Sequence, residues 1–290
     1  MSDQKVVTVF LMGGLGNQLF QLFACISYGI RTSRRIILPY AELLTTGTIR
    51  PTYWDNMFKT IKHMTTYNNA QYTVDSLSLF PSFQEDGYRF KHIPSFDVPN
   101  VQLYGYFQSP KYFQEHYGTI CSLMNLPAQI DRVRNYYAKY FSENVHTIGM
   151  HFRIGDYKHI QDYHPIMPVQ YYILALNRLL LQRKGTEINV LYFCEEKDLD
   201  TVTSMIAEIK YMVYGVTFVR ADSTIGDWEQ MLLMASCNDN IIANSTFSWW
   251  GAYLNQTPNK QVCYPTTWFG PSAKNDVTDL FPPEWQRIMW

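Results

Sequence analysis

Gly13-Gly14-Leu15-Gly16-Asn17-Gln18-Leu19-Phe20-Gln21 follows directly on the apolar run Val6–Met12, and this junction decides the fold. Val6, Val7, Val9, Phe10 and Leu11 read as a short buried strand, rich in β-branched and aromatic residues. Three glycines then let the backbone turn sharply and approach a ligand with no Cβ in the way. Leu19, Leu22, Phe23 and Ile26 recur at helical spacing. Strand, turn and helix in this order bring unsatisfied helix N–H groups to a site that favours anions. Tight strand–helix packing would explain the glycines alone. A dinucleotide turn is disfavoured, because no acidic residue follows the next strand, Arg35–Leu38, to hold a ribose. The amides of Asn17 and Gln18 at the helix start set the turn apart, with polar groups to spare for a ligand.

Two later segments repeat the arrangement. His151-Phe152-Arg153-Ile154-Gly155-Asp156-Tyr157 ends the apolar run Ile148–Phe152, and Asn244-Ser245-Thr246-Phe247-Ser248-Trp249-Trp250-Gly251 follows the strand-like Ile241–Ala243. Polar residues where a strand gives way to a loop mark the ligand edge of open α/β sheets. From Asn144 onward the pattern predicts strands at 147–152, 189–194, 216–219, 241–243 and 261–264, the last taken as final. Helices are predicted between them: one from Pro168 to Gly185, then 200–209, 227–237 and 247–254. Such alternation means a parallel sheet with helices on both faces. The stretch 40–110 is rich in Pro, Thr, Asn and aromatics and yields few elements; Ile130–Phe141 reads as a helix. The expected architecture is α/β, two Rossmann-like domains facing a shared cleft, residues 1–144 on the acceptor side and 145–290 on the donor side.

The 290 residues carry a net charge of −1 with cations scattered, which argues against a nucleic-acid footprint. The five cysteines are odd in number and mostly within apolar runs, so reduced buried thiols are expected. No stretch reaches membrane-spanning length and no signal-peptide core is visible. The expectation is a soluble, cytoplasmic chain, with peripheral membrane contact left open.

Arg153 leads the candidate residues. A guanidinium at the end of a buried strand pairs with a carboxylate such as Asp156 or grips an anionic ligand, and its fork suits a diphosphate. Strand alternation puts His151 on the same face, either as a satisfied core histidine or as a partner for a phosphate, a sugar hydroxyl or the leaving oxygen. Ser245, Thr246 and Ser248 open a helix, where one hydroxyl caps and several together cradle phosphate oxygens. Phe247 stacks on a base or fills the core; Trp249 and Trp250 read as packing. Glu195 and Glu196, past a strand end, suit sugar hydroxyls or a solvated loop. Asp198-Leu199-Asp200 is formally a metal-type Asp-x-Asp, but helix initiation is the better account. No metal site is expected, so arginine and helix dipole would neutralise a leaving diphosphate.

The glycine-asparagine-glutamine turn, the His-x-Arg-x-Gly-Asp-Tyr segment and the Asn-Ser-Thr-Phe-Ser-Trp-Trp-Gly segment together resemble the signatures of α-1,2-fucosyltransferases, glycosyltransferase family 11. Leu103-Tyr104-Gly105-Tyr106-Phe107-Gln108-Ser109-Pro110-Lys111-Tyr112-Phe113 is similar to a fourth element of that family. The resemblance implies a GT-B-like fold and metal-free inverting transfer of fucose from GDP-fucose to an acceptor glycan, most often O2 of a terminal galactose. It implies that Arg153 neutralises the diphosphate and that His151 contacts the nucleotide. Ser245, Thr246 and Phe247 would line the same pocket, and Asn17 and Gln18 would close over donor or acceptor. The family's guanine-reading Asp stands here as Gln230, beside Glu229 and near Asp227. Its Ser-Asp-Asp after the mid-domain strand stands as Cys194-Glu195-Glu196. Asp156, His151 and Glu195 are all candidates for the catalytic base. The alternatives are a transferase of the same fold using another nucleotide sugar, and a non-catalytic glycan- or nucleotide-binding protein.

Overall fold

The computed structural model describes residues 4–290. The chain forms two compact units: one runs to Ala128 and includes Asn275–Pro282, the other comprises Gln129–Lys274 and Pro283–Trp290.

In the first unit, β1 (Val6–Val9) leads through the glycine turn into α1 (Leu15–Arg31) and β2 (Arg35–Ile36). A two-stranded antiparallel ribbon, β3 (Leu43–Leu44) with β4 (Arg50–Pro51), and the short α2 (Val74–Ser78) follow. Then come β5 (Ser82–Gln84), β6 (Asn100–Tyr104) and α3 (Tyr117–Leu123). The sheet order is β2-β1-β6-β5, parallel throughout. β1 is apolar because it is covered on both faces, and α1 is buried almost all round; its Phe20 and Phe23 meet Phe113 at ring-centroid distances of 6.1 and 5.3 Å. Buried Arg34 donates to the carbonyls of Val6, Phe96, Val98 and Pro99, pinning the strand starts. Asp279 belongs to this unit: its carboxylate accepts from the Phe90 amide at 3.1 Å and Lys111 Nζ at 2.5 Å, and its carbonyl from Ser109 Oγ at 2.7 Å.

The irregular stretch therefore hides the strand β6, which pairs with both β1 and β5. Gln102, buried in mid-strand, breaks the apolar run that would have announced it.

The chain passes into the second unit within α4 (Leu126–Tyr136), which stops short of the expected Phe141 and gives way to a 3₁₀ turn, Ala138–Tyr140. Asn144, with a positive φ of 65°, precedes β7 (Val145–His151). The sheet continues with α5 (Val169–Gln182), β8 (Glu187–Phe193), α6 (Leu199–Met212), β9 (Val216–Arg220) and α7 (Asp227–Ala235). It ends with β10 (Asp239–Ile241), α8 (Thr246–Leu254), β11 (Val262–Pro265) and β12 (Gln286–Ile288). The order is β12-β11-β10-β7-β8-β9, again all parallel. α5 packs on α6 and α7 on α8, one helix pair to each face, as right-handed crossovers reversing direction at β7 require. The fold class is the α/β, parallel-sheet one expected. β12, at the sheet edge, replaces residues 261–264 as the final strand; three residues rich in polar groups give too little periodicity to be read.

Asp239, fully buried at the start of β10, accepts from His146 Nε2 at 2.6 Å, from Arg183 at 2.8 and 2.9 Å and from the Gln261 amide at 2.7 Å. This clamp ties the amino ends of β7, β10 and β11 together, at the opposite edge of the sheet from the residues described next.

Candidate active site

β7 delivers its last residue, His151, to the carboxyl edge of the sheet, and the Phe152 amide still donates to Phe193 O at 2.9 Å. Beyond it, Arg153 donates from one guanidinium nitrogen to Glu195 and from the other to Asp156, while its Cζ lies 4.8 Å from the centre of the Tyr157 ring. Its side chain is 20 % exposed, so the charge is partly desolvated yet reachable. Lys197 Nζ, 2.7 Å from Glu195, adds a second cation. The pairing of Arg153 with a carboxylate foreseen from the sequence is present, with two partners; a guanidinium has five N–H donors and keeps capacity for an anion.

The loop beyond Arg153 is held from outside. Gly155 has a positive φ of 33°, and a Cβ there would stand 2.9 Å from Glu195 Oε1, so the tight turn beside that carboxylate needs glycine. The Gly155 amide donates to Asp198 Oδ2 at 2.6 Å and Lys158 Nζ to Asp198 Oδ1 at 2.8 Å. Asp198, 2 % exposed, makes no side-chain cap on α6. Asp198 and Asp200 do stand at the start of α6, as the helix-initiation account has it, but the Asp198 side chain spends both oxygens on Gly155 and Lys158 and does not cap.

His151 is 8 % exposed, its ring 5.3 Å from Phe247 and its carbonyl accepting from Tyr172 OH at 3.1 Å. Burial first, and the Arg153 charge second, pull its pKa down to about 3. The imidazole is therefore neutral near pH 7, and its buried Nδ1 has no hydrogen-bond partner among the described residues. A neutral ring beside a guanidinium offers a hydrogen bond to a ligand and holds a proton poorly.

Ser245 is the N-cap of α8, its hydroxyl accepting from the Phe247 amide at 3.3 Å. Thr246 and Phe247, half-buried, begin the helix. Ser248 Oγ donates to the carbonyls of Ala243 and Ser245, a packing role. Tyr157 links the two segments: its ring lies against Arg153 and its hydroxyl donates to Asn244 O at 3.1 Å. The second unit so gathers His151, Arg153, Asp156, Glu195, Ser245, Thr246 and Phe247 along one sheet edge. On α7, Gln230 Nε2 donates to Ile225 O at 2.8 Å, bracing the helix start, whereas Glu229 accepts a long 3.4 Å bond from Tyr137 OH. Asp227 is exposed in the first turn of the same helix.

Asn17 and Gln18 belong to the first unit. Gly13 has φ 79°, and a Cβ there would lie 2.4 Å from Asn17 Nδ2. Gln18 is fully buried and its Nε2 donates to Gly13 O at 3.0 Å and Pro51 O at 2.9 Å. Its amide N–H groups thus hold the turn and are not spare for a ligand; burial set that use. Asn17 Oδ1 accepts from Gln108 Nε2 at 3.1 Å. Sequence reading missed that Asp198 holds the loop beyond Arg153 and that Gln108, in the Tyr104–Phe113 element, bonds Asn17.

The second unit thus carries an arginine, a neutral histidine and a capped helix start along one edge of a parallel α/β sheet. The chain belongs to glycosyl transferase family 11, whose model it matches over residues 1–289. It is 28% identical to an alpha-1,2-colitosyltransferase of Escherichia coli, over 98% of this chain and 99% of the relative. It is 27% identical to the O-antigen biosynthesis glycosyltransferase WbnK of Escherichia coli, over 92% and 96%. Among solved structures, POFUT1 in complex with GDP matches with a TM-score of 0.51 at 9% identity, over 90% of this chain and 98% of that one, a likeness of fold.

Proposed function

We propose that this family 11 glycosyltransferase transfers fucose from GDP-fucose, with inversion, to a hydroxyl of an acceptor glycan, O2 of a terminal galactose. The observation that carries the reading is Arg153, its side chain 20 % exposed at the strand end beside neutral His151. The guanidinium is the group that would neutralise the departing diphosphate, and the α8 N-terminus would assist it. The POFUT1 structure, which holds GDP, and the α-1,2 linkage in the colitosyltransferase's name support donor and linkage. His151, at a pKa of about 3, would serve as a hydrogen-bond donor to the nucleotide. Asp156 and Glu195 remain the candidates for taking the acceptor proton, each close enough to Arg153 to be released as the guanidinium turns to the phosphates. No metal is required in this scheme. Five free thiols, four of them buried, support a cytoplasmic setting; among the described residues no helix is long and apolar enough to cross a membrane.

A second reading keeps the linkage and changes the sugar to colitose, favoured by the 28% identical colitosyltransferase. Incubating the enzyme with GDP-fucose, GDP-colitose or UDP-galactose and a panel of β-galactosides separates the two, with the product linkage assigned by NMR. Transfer of fucose to O2 is expected. Colitose transfer at a higher rate establishes the second reading, and transfer from the uridine donor alone overturns both.

A further inference from the structure

At the carboxyl edge of its own sheet, the first unit carries a polar group that the donor-side residues do not include. Glu85 follows β5 directly, its amide donating to Tyr104 O at 2.8 Å. Its Oε2 accepts from the backbone amides of Tyr106 at 2.8 Å and Phe107 at 2.7 Å. Phe107, fully buried, sits at φ 53°, a left-handed conformation that a bulky residue keeps only when its surroundings impose it. The Ser109 amide closes back on Phe107 O at 2.8 Å, and Gln21 Nε2 holds Gly105 O at 3.2 Å. The result of this bracing is the placement of Gln108, whose Nε2 meets Asn17 Oδ1.

Backbone strain on a loop held by a buried carboxylate is costly, and pure packing gives no reason for it: a glycine at 107 would relieve it. What the loop presents is a set of acceptors. Among the described residues, Gln108 Oε1 and Gln18 Oε1 are buried and without a hydrogen-bond partner, while the Glu85 carboxylate also takes a hydrogen bond from Tyr112. Buried oxygens of this kind call for O–H or N–H donors. Burial also holds the Glu85 carboxyl above the ordinary carboxylate range, against the lowering effect of the Phe107 amide, so the group calls less for a cation. Phosphate is excluded by the same oxygens. A neutral polyol fits: its hydroxyls donate to the amide oxygens, and one accepts from the second N–H of the Gln108 amide.

We propose that the loop 105–109 is a hydroxyl-reading site for the acceptor glycan, with Gln108 as the residue that binds it and Glu85 as the positioning residue that fixes Gln108. The inference rests on the glycosyl-transfer reading above and names the residues that would select its acceptor.

Initial rates with GDP-fucose saturating and lactose, or the panel galactoside that wild type uses best, as the varied substrate give the test, beside calorimetric titration of GDP. Gln108→Ala and Glu85→Ala should each raise the acceptor KM tenfold or more and leave GDP affinity within twofold. Glu85→Gln keeps an oxygen for the two backbone amides and should restore the acceptor KM to within about twofold. A wild-type acceptor KM in Gln108→Ala overturns the binding site, and that variant decides the matter even if Glu85→Ala does not fold. A Glu85→Gln enzyme that loses kcat at unchanged KM overturns the positioning role and makes Glu85 a proton acceptor. Wild type that binds GDP and transfers normally while the variants match it defeats this inference alone; wild type that binds no GDP defeats the proposed function.

Discussion

Arg153 is fixed by three neighbours: two carboxylates on its nitrogens and the Tyr157 ring against its plane. Fixing a long side chain in advance spares the entropy of ordering it when the diphosphate departs. Arg153→Ala should lower kcat by about a hundredfold or more, on the order of 3 kcal/mol of transition-state stabilisation. Arg153→Lys should recover little of it, because an ammonium lacks the fork and the planar face. Near-normal turnover in the lysine variant would contradict the assignment. His151 makes a prediction in pH. Its folded pKa of about 3 lies below the ordinary 6.5, so the fold disfavours charging it. The associated stability is complete above pH 6.5 and is lost as pH falls from there toward 3, at up to about 1.4 kcal/mol per pH unit. Asp239, whose carboxyl is held below the usual range by His146 and Arg183 against its own burial, contributes an acid loss of the same sign at lower pH. Denaturant midpoints of wild type and His151→Asn between pH 7 and 4 separate the two: the variant should show the shallower decline, and parallel curves would refute the neutral imidazole.

Among the elements, α7 bears on nucleotide choice. Its Gln230 spends an amide N–H on Ile225 O, while Glu229 accepts the long 3.4 Å contact from Tyr137. A charged acceptor for guanine's two N–H donors is worth roughly 1.5–3 kcal/mol. Glu229→Ala should therefore weaken GDP binding at least tenfold and Gln230→Ala by much less, as read by calorimetry; equal affinities would place the guanine elsewhere. The β10 start carries a prediction of the opposite kind. Asp239→Ala leaves Arg183 and His146 without their buried partner and should cost about 3 kcal/mol of stability. Activity per folded molecule should hold, since the clamp lies at the far edge of the sheet from Arg153. An equal loss of specific activity would show that the two edges are coupled.

Elements of the second unit were legible because each parallel strand is an apolar run and each crossover an amphipathic helix; only the ends moved, as at β10, read as 241–243 and found at Asp239–Ile241. β6 and β12 were not legible: buried Gln102 interrupts the apolar run of β6, and Gln286 of β12 is satisfied by Arg178, Gln182 and Gln261 far along the chain. The same holds in the sites. Arg153, His151 and the Ser245 cap stand at strand ends that periodicity locates. Asp198 reaches Gly155 across 43 residues, a relation with no local signature.

At the scale of the molecule, the reaction scheme relies on protein cations and a helix terminus, so turnover should persist in excess EDTA. The Asp198-Leu199-Asp200 pair is a poor candidate for a metal, with Asp198 bound to Gly155 and Lys158. Strict dependence on added manganese or magnesium would overturn the scheme.

Asp279 has a consequence for how the protein is made. The first unit is braced by residues 275–282, which a ribosome supplies only after the whole of 129–274 has been polymerised. Domains generally fold as units in order of synthesis, but here the leading unit cannot close its hydrogen bonds around Phe90, Ser109 and Lys111 while the second is emerging. The nascent first unit must therefore wait with those bonds unmade, and slowing translation would prolong its exposure to chaperones and to other unfinished chains.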